Sequence, residues 1–360
     1  MNMYFIPLFA QSFGATFVDL GIIGTVWALA TTITPFLIGY LAGRMNRVWV
    51  YILSLILNGF STLFLVLSRS VFDIVVLRFF GGVAMEAFYV TTEIMVTDLT
   101  PIEARVREMG RYGIALVLGV LIGPLIGGLV TESLGYVDLF IISTFVIGVS
   151  TVQTLVWLVS GYRTTESLPS QNFSDYIRIL KRLSPLYMMI VCYGVIWGLI
   201  QAIFPGYANS IGISAVLIGF LFSAFGVARI FSYATAHRYS RFGQTRTLLF
   251  VSLVIFAGLM VIALFPTFVA FIVGIMLIGG GVGVVFPVTI DIVSRNFPDE
   301  RAGMGIASYE TVANMGATVG PYIFGMLTVI TTIGRSFLLM SIFGIFMALF
   351  AVNGANKSRT

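Results

Sequence analysis

Long apolar runs alternate with short polar connections along most of the chain. An α-helix needs about 20 apolar residues to cross the hydrocarbon core of a bilayer, and most of the runs reach that length. Eleven runs are predicted to be full spans: residues 20–42, 48–67, 71–95, 111–131, 137–160, 185–208, 213–236, 247–265, 267–293, 303–330 and 336–353. Residues 1–13 form a shorter apolar run, which is predicted to be the end of one more span. The pattern therefore predicts an all-α polytopic membrane protein.

The two halves of the chain repeat each other at an offset of 197 or 198 residues. The glycine-rich run around Gly123 and Pro124 recurs around Gly320 and Pro321. Matching positions near the start of each half are Pro7, Gly14 and Gly21 with Pro205, Gly212 and Gly219. Internal repeats of this kind are typical of secondary transporters. We therefore predict two six-helix bundles that are related by the repeat.

The repeat also sets the predicted domain boundaries. The first bundle covers residues 1–160 and the second covers residues 185–360. Residues 161–184 connect them on the cytoplasmic side, and their apolar residues fall at helical spacing, which predicts an amphipathic helix on the membrane surface. The span 185–208 is the counterpart of the opening segment, and a full counterpart would begin before residue 1. We therefore expect the first of twelve spans to lack its first half, through a truncation or a misassigned start.

Composition and charge agree with a chain that lies in a membrane. Hydrophobic residues make up 58% of the 360 residues and charged residues 10%, whereas about 25% of the residues of a soluble protein are charged. Sixteen of the 20 lysine and arginine residues lie in connections on one side of the spans, and the positive-inside rule assigns that side to the cytoplasm. We expect a monomer in the lipid bilayer of the cytoplasmic membrane, with a cytoplasmic linker and C-terminus and no nucleic-acid partner.

Three motifs carry a resemblance to the major facilitator superfamily, and the resemblance extends over essentially the whole chain. The segment from Gly39 to Arg47 resembles the family's G-x-L-x-D-R-x-G-R loop, with Gly43 in place of the aspartate and Asn46 in place of the second glycine. The segment from Arg78 to Gly82 resembles the R-x-x-x-G motif that the family links to proton coupling.

The third motif is the glycine-rich run, which resembles a sequence associated with antiporters. Its positions are Gly119, Gly123, Pro124, Gly127 and Gly128, and the second half echoes it with Gly316, Gly320 and Pro321. Glycines four residues apart form a flat helix face against which a second helix packs closely. The resemblance implies a twelve-helix fold that works by alternating access, with the proton gradient as its energy source and no cofactor.

Ionisable side chains inside spans are costly to bury and usually functional. Four are candidates: Arg78, Glu86, Arg229 and Glu310. Burial favours the neutral carboxyl, so Glu86 is predicted to take up and release a proton, unless it is a protonated glutamate that only joins two helices. Arg78 is predicted to stabilise an ionised acid in the cavity; the alternative is that it extends to the headgroups. Arg229 and Glu310 have three open interpretations: an ion pair, a site for an ionic substrate, or contact with the membrane interface.

A second group of charges lies at the cytoplasmic ends of the spans. Glu93 and Asp291 occupy equivalent positions in the two halves, and arginine-containing loops lie at the same depth. We predict a cytoplasmic gate in which each acid binds the arginines of its own half, namely Arg44, Arg47 and Arg241. A permanent structural pair is the alternative.

The substrate cavity is predicted from side chains that share helix faces. Tyr193, Trp197 and Gln201 fall four residues apart, which places them on one face of a helix. Tyr89, Arg229 and Glu310 complete the predicted cavity. The alternative for the aromatic residues is contact with lipid or simple packing.

The sequence contains no constellation that would carry an enzymatic reaction or hold a metal. His237 has no second ligand residue nearby in the sequence, and no nucleophile–base pair or nucleotide-binding loop is present. We predict a transporter, not an enzyme, that couples protons to the efflux of small amphipathic compounds or metabolites. The alternatives are a symporter or uniporter for sugars, organic acids or amino acids, and, from another class, a non-transporting membrane sensor.

Overall fold

The structure is a computed structural model that describes residues 1–42, 46–100, 105–158, 183–239, 243–294 and 302–357. These residues form helices joined by short turns, with no strand among them. In chain order the α-helices are α1 (Ile6–Ser12), α2 (Phe17–Ala42), α3 (Arg47–Phe64), α4 (Val71–Leu99), α5 (Arg105–Ser133), α6 (Tyr136–Leu158), α7 (Ser184–Ala202), α8 (Phe204–Ser210), α9 (Ala215–Tyr239), α10 (Gln244–Leu264), α11 (Phe268–Ser294), α12 (Ala302–Ile330), α13 (Ile333–Met340) and α14 (Ile342–Lys357). The predicted all-α class is confirmed.

Ten helical segments of the described part are long and apolar enough to cross a membrane. The sequence predicts eleven full spans, and the difference lies in α4, which is not among the ten. α4 carries five acidic or basic residues: Asp73, Arg78, Glu86, Glu93 and Asp98. Its 29 residues extend about 43 Å at 1.5 Å per residue, and it packs between α2 and α3. α4 therefore carries charged residues along its whole length, within a bundle of mainly apolar spans.

The predicted span 185–208 is divided in the structure. α7 ends at Ala202, and α8 begins at Phe204 with Pro205 in its first turn. Proline has no backbone N–H and is tolerated in the first turn of a helix, where that group would have no partner. The opening segment has the same form, because α1 begins at Ile6 with Pro7 in its first turn. Each short helix is therefore a separate element that starts at its proline.

Glycine ends both short helices. Gly14 follows α1 with φ +82°, and Gly212 follows α8 with φ +86°. Residues with a side chain rarely adopt this left-handed conformation. The turns at 13–16 and 211–214, together with the turn at 134–135 between α5 and α6, lie at one end of the molecule, which we call the closed end.

Glycines bring α2 and α12 into backbone contact near the closed end. A Cβ atom on Gly21 would lie 2.6 Å from the carbonyl oxygen of Pro321, and one on Gly325 would lie 3.0 Å from that of Phe17. A side chain would not fit at these distances, so the two backbones touch. We call these four residues the α2–α12 seam.

The α5–α9 seam has the same construction. A Cβ atom on Gly128 would lie 2.6 Å from the carbonyl oxygen of Ala215, and one on Gly219 would overlap the carbonyl oxygen of Pro124. These four residues are the repeat counterparts of the α2–α12 seam. Since α2 and α5 belong to the first half and α9 and α12 to the second, two repeat-related seams join the bundles.

The remaining glycines of the motif have other neighbours. Gly123 and Gly127 face the opening segment. A Cβ atom on Gly123 would lie 3.2 Å from the Met1 nitrogen, and one on Gly127 would lie 2.8 Å from the Met1 oxygen. Gly316 and Gly320 pack on α7. A Cβ atom on Gly119 would have no neighbour within 4 Å among the described residues.

Hydrogen bonds reinforce the closed end. The Asn209 side chain donates to the Gln11 amide oxygen at 2.8 Å, and Gln11 donates to the Gly206 carbonyl oxygen at 3.0 Å. Gln11 and Asn209 are repeat counterparts, one from each bundle. The Glu132 carboxylate accepts a bond from the Val216 backbone N–H at the start of α9, at 3.0 Å. The bundles are thus joined here by backbone packing and by polar contacts.

We predict that Gly128→Val destabilises the protein by about 1–3 kcal/mol, the usual cost of overpacking a tight contact. The new methyl groups would collide with the backbone of α9. The free energy of unfolding in mild detergent measures the effect. Gly119→Val is the matched control on the same helix, because that position has open space. Equal losses for the two variants would contradict the α5–α9 seam.

We predict that Gln11 and Asn209 are energetically coupled. Gln11→Ala, Asn209→Ala and the double variant form a double-mutant cycle, and their shared hydrogen bond is worth about 0.5–1.5 kcal/mol. The same unfolding measurement gives the coupling energy. Asn209→Ala combined with Gln153→Ala, on the exposed face of α6, should be additive. Additivity of the Gln11 and Asn209 variants would refute the contact.

Candidate functional site

Charged and aromatic side chains from both bundles meet between α4, α9 and α12. Glu86 of α4 is close enough to Glu310 of α12 for their charges to interact. Tyr89 of α4 lies within electrostatic range of Arg229 of α9. All four side chains are half-buried. With Tyr193 and Trp197 of α7, they form what we call the central site.

The spacing along α4 places its polar residues on one face. Glu86, Tyr89 and Glu93 are separated by three and four residues, so they project from the same side of the helix. One turn before Glu86, a Cβ atom on Gly82 would lie 2.8 Å from the Trp27 carbonyl oxygen. Gly82 thus allows α4 to pack closely on α2.

Arg229 is held by aromatic residues of its own bundle. Its Nε–H donates to the Tyr233 hydroxyl at 2.8 Å. The guanidinium carbon lies 5.3 Å from the ring centre of Trp197 and 5.4 Å from that of Tyr233. Its charge also acts on Glu310. The sequence leaves three interpretations of Arg229 open: an ion pair, a substrate site or contact with the membrane interface. The structure places Arg229 inside the protein and near Glu310.

The face of α7 that carries Tyr193, Trp197 and Gln201 points into the protein. Tyr193 is buried, with its ring centre 6.3 Å from that of Tyr309. Trp197 is half-buried beside Phe225, at 5.8 Å. Gln201 is 8% exposed, and its amide oxygen is buried without a hydrogen-bond partner among the described residues. A buried acceptor without a donor is costly, which marks Gln201 as a strained polar position inside the bundle.

Arg78 lies two turns from Glu86, toward the start of α4. Its guanidinium carbon is 5.1 Å from the ring centre of Trp27. Its Nε atom is buried without a hydrogen-bond partner within the part of the chain that the structure describes. The contact that the structure gives Arg78 is therefore an aromatic ring of α2, and its role in proton coupling stays a prediction.

The predicted cytoplasmic gate is only partly covered by the described residues. Arg47 is buried at the first position of α3, and Glu93 is exposed on α4. Arg44 and Arg241 lie outside the described residues. Asp291 belongs to α11, but its side chain lies outside them. The gate therefore stays a prediction.

Sequence reasoning missed two tyrosines of the site. Tyr4 is buried, stacks on Phe222 of the opposite bundle with ring centres 3.8 Å apart, and interacts electrostatically with Arg229. No sequence signal singles it out, because it lies in a short apolar run. Tyr233 follows Arg229 by one helical turn, and that spacing could have predicted their contact.

The described residues contain no group of three histidine, cysteine, aspartate or glutamate side chains that could hold a metal ion. The side chains of the central site can carry out proton transfer, ion pairing, hydrogen bonding and contact through aromatic rings.

Comparisons with known proteins agree with this architecture. The Major Facilitator Superfamily profile matches residues 1–240 and 186–357. An uncharacterized MFS-type transporter of Methanocaldococcus jannaschii is 22% identical, over 94% of this chain and 89% of its own length. The cis,cis-muconate transport protein of Acinetobacter baylyi is also 22% identical, over 94% and 86% of the two chains. Multidrug resistance protein MdtG of Escherichia coli is 22% identical over 99% and 90%.

A solved structure shows the same fold. The nucleoside transporter NupG superposes with a TM-score of 0.81 at 13% sequence identity, and the match covers 99% of this chain and 94% of that one. The profile match over both bundles shows more than a shared fold, because it identifies the sequence family. The chain is a multi-pass membrane transporter, not an enzyme, and it belongs to the Major Facilitator Superfamily.

Proposed function

We propose that this transporter exports a small amphipathic molecule in exchange for protons, with Glu86 as the group that carries the proton. The observation behind the proposal is the charge environment of Glu86. This carboxyl is half-buried within a span, and two further acids, Glu310 and Glu93, lie near enough to act on it. An ionised acid in such a place is costly unless a proton or a cation neutralises it.

This requirement gives a physical basis for exchange. A proton on Glu86 removes its charge, and so does a positively charged ligand beside it. The site cannot bind a proton and a cationic ligand tightly at the same time, because a protonated, neutral Glu86 no longer attracts a cation. Binding of one therefore favours release of the other, which is the condition for antiport.

Alternating access would expose the central site to each side in turn. By the positive-inside rule the closed end would face the outside, and this structure would be the state that is open to the cytoplasm. In the outward-open state the two seams would separate, and the gate formed by Glu93 and Asp291 with Arg44, Arg47 and Arg241 would close. The protein would act as a monomer in the cytoplasmic membrane, with the proton gradient as its energy source.

The relatives support export without deciding the cargo. Multidrug resistance protein MdtG matches nearly the whole chain, which favours efflux of amphipathic compounds. The muconate transport protein and the nucleoside transporter are named for other substrates. Arg229 in the central site is the residue that would favour an acidic cargo, so symport of an organic acid is the second candidate.

We predict that Glu86→Gln abolishes proton movement driven by substrate, because the amide cannot release a proton. Purified protein would be reconstituted into liposomes that contain a pH-sensitive dye. A proton gradient would be imposed, and cationic, neutral and anionic aromatic compounds would then be added one at a time. The wild type should show proton flux that depends on one class of compound, and Glu86→Gln should show only background flux.

Asp138→Asn is the matched control, since Asp138 is an acid at the start of α6, away from the central site. It should behave as the wild type does. Unchanged flux in Glu86→Gln would remove Glu86 as the proton carrier. Substrate movement in the same direction as protons would replace antiport by symport.

A further inference from the structure

A groove opens on the outer surface of the first bundle, between the end of α3 and the start of α4. Its volume is about 340 Å³, near the lower end of the range for ligand sites. Among the residues that line it are Phe64, Leu67, Ser68, Phe72, Asp73 and Val76. Because α2 starts at the closed end and α3 runs back toward it, the groove lies at the closed end. It is separate from the central site, since the 13 residues from Asp73 to Glu86 correspond to about 20 Å along α4.

The groove is charged at one end and apolar along the rest. Asp73 lies in the first turn of α4, and Arg69 lies in the turn just before that helix. The apolar wall includes Leu67 and Phe72, which are 67% and 73% exposed, and it continues to Phe64 on α3. An amphipathic molecule in this groove would place its charged end at the ends of the helices and its apolar part toward the middle of the bilayer. A phospholipid has that orientation.

The charged end of the groove presents both signs. The Asp73 carboxylate is fixed by the backbone, because its Oδ2 atom accepts the N–H groups of Arg69 and Ser70, both at 2.9 Å. A carboxylate has about four acceptor positions, so Asp73 can also accept a hydrogen bond from a ligand. The Arg69 side chain is exposed, and its charge acts on Asp73. A carboxylate beside a guanidinium is complementary to a headgroup that carries both an ammonium and a phosphate.

Ser68 adds an unpaired hydroxyl to the wall of the groove. Its Oγ atom is buried and has no hydrogen-bond partner among the residues that the structure describes. Burial of a hydroxyl without a hydrogen bond is costly. A serine side chain has three staggered positions, so rotation about the Cα–Cβ bond would let the Ser68 hydroxyl donate to an oxygen of a ligand in the groove.

The second bundle shows that the fold does not need charges at this turn. Thr267 caps α11 by accepting a bond from the Ala270 N–H at 3.3 Å, which is the bond that Ser70 accepts from the Asp73 N–H in the first bundle. Thr267 follows Ser70 by 197 residues, one of the two repeat offsets. Ala270 therefore stands in the place of Asp73, and Pro266 in the place of the arginine. The charged pair is an addition to the first bundle.

From these observations we infer that the groove binds a zwitterionic phospholipid whose headgroup carries a primary ammonium, as in phosphatidylethanolamine. The ammonium binds Asp73, the phosphate lies between Arg69 and Ser68, and the start of one acyl chain follows the apolar wall toward Phe64. A primary ammonium has three N–H donors and a trimethylammonium has none, so Asp73 is the residue that selects the headgroup. The site does not depend on the identity of the exported molecule.

The test is lipid binding to the full chain, which is first stripped of lipid in mild detergent and then studied by native mass spectrometry. The probes are phosphatidylethanolamine, phosphatidylcholine and phosphatidylglycerol with identical acyl chains. The wild type should bind phosphatidylethanolamine about fivefold more tightly than phosphatidylcholine, a modest factor because exposed ion pairs are weak. Phosphatidylglycerol, which has no ammonium, should also bind less tightly than phosphatidylethanolamine.

Two variants separate the contributions of the charges. Asp73→Asn should lower the affinity for phosphatidylethanolamine to that for phosphatidylcholine and leave the latter unchanged. Arg69→Gln should lower both affinities about threefold, because both lipids carry the phosphate and exposed ion pairs are weak. Asp138→Asn and Arg335→Gln are the matched controls, an acid in the first turn of α6 and an exposed arginine of α13, and neither lines the groove. Both should bind the lipids as the wild type does.

A second readout locates the lipid and does not require Asp73→Asn to fold. A photoreactive phosphatidylethanolamine should crosslink mainly to residues 64–77 of the wild type. Val76→Trp, which fills the groove from its exposed side, should remove these crosslinks.

Several results would overturn the inference. These are equal affinities of the wild type for phosphatidylethanolamine and phosphatidylcholine, or a preference that survives in Asp73→Asn. Crosslinks spread evenly over the lipid-facing helices would indicate boundary lipid only, and crosslinks between two copies of the chain at this surface would assign it to a protein contact. None of these measurements involves substrate or a proton gradient, so their failure leaves the export proposal untouched.

Discussion

The architecture depends on contact between helix backbones at the two seams. Within a bilayer, the hydrophobic effect does not drive helices together, so close packing of small residues and polar contacts must hold them. Gly21 against Pro321 and its repeat counterpart Gly219 against Pro124 provide that packing. The prolines lie inside long helices, where a membrane tolerates them better than water does. Two short contact regions thus set how the bundles meet.

The seams follow the internal repeat, but Glu86, Arg78 and Arg229 do not. At the repeat counterparts of Glu86 and Arg78 the second half has Val284 and Met276. Arg229 corresponds to Thr31 in the first half. The scaffold is therefore symmetric where it joins two equivalent bundles, and asymmetric at the central site. Each bundle contributes a different part of the central site.

The fold was predictable from the sequence to a large extent, and the site only in part. Span length and the repeat predict the helices, because the bilayer allows few alternatives to a spanning helix. The break between α7 and α8 was missed, although Pro205 marks it. Spacing along α4 and α7 places the predicted side chains of each helix on one face. The stacking of Tyr4 on Phe222 could not be predicted, because it depends on how two separate bundles face each other.

Symmetric seams and asymmetric charges together constrain how the protein can move. The seams join α2 to α12 and α5 to α9, whereas the acids of the central site lie on α4 and α12. A rotation that opens the seams about an axis away from the central site would change the distance between Glu86 and Glu310. Repulsion between two ionised carboxyl groups rises steeply as they approach in a medium of low dielectric constant. If the protein works by the proposed alternating access, the charge state of the central site would be linked to the position of the bundles through the separation of these two acids.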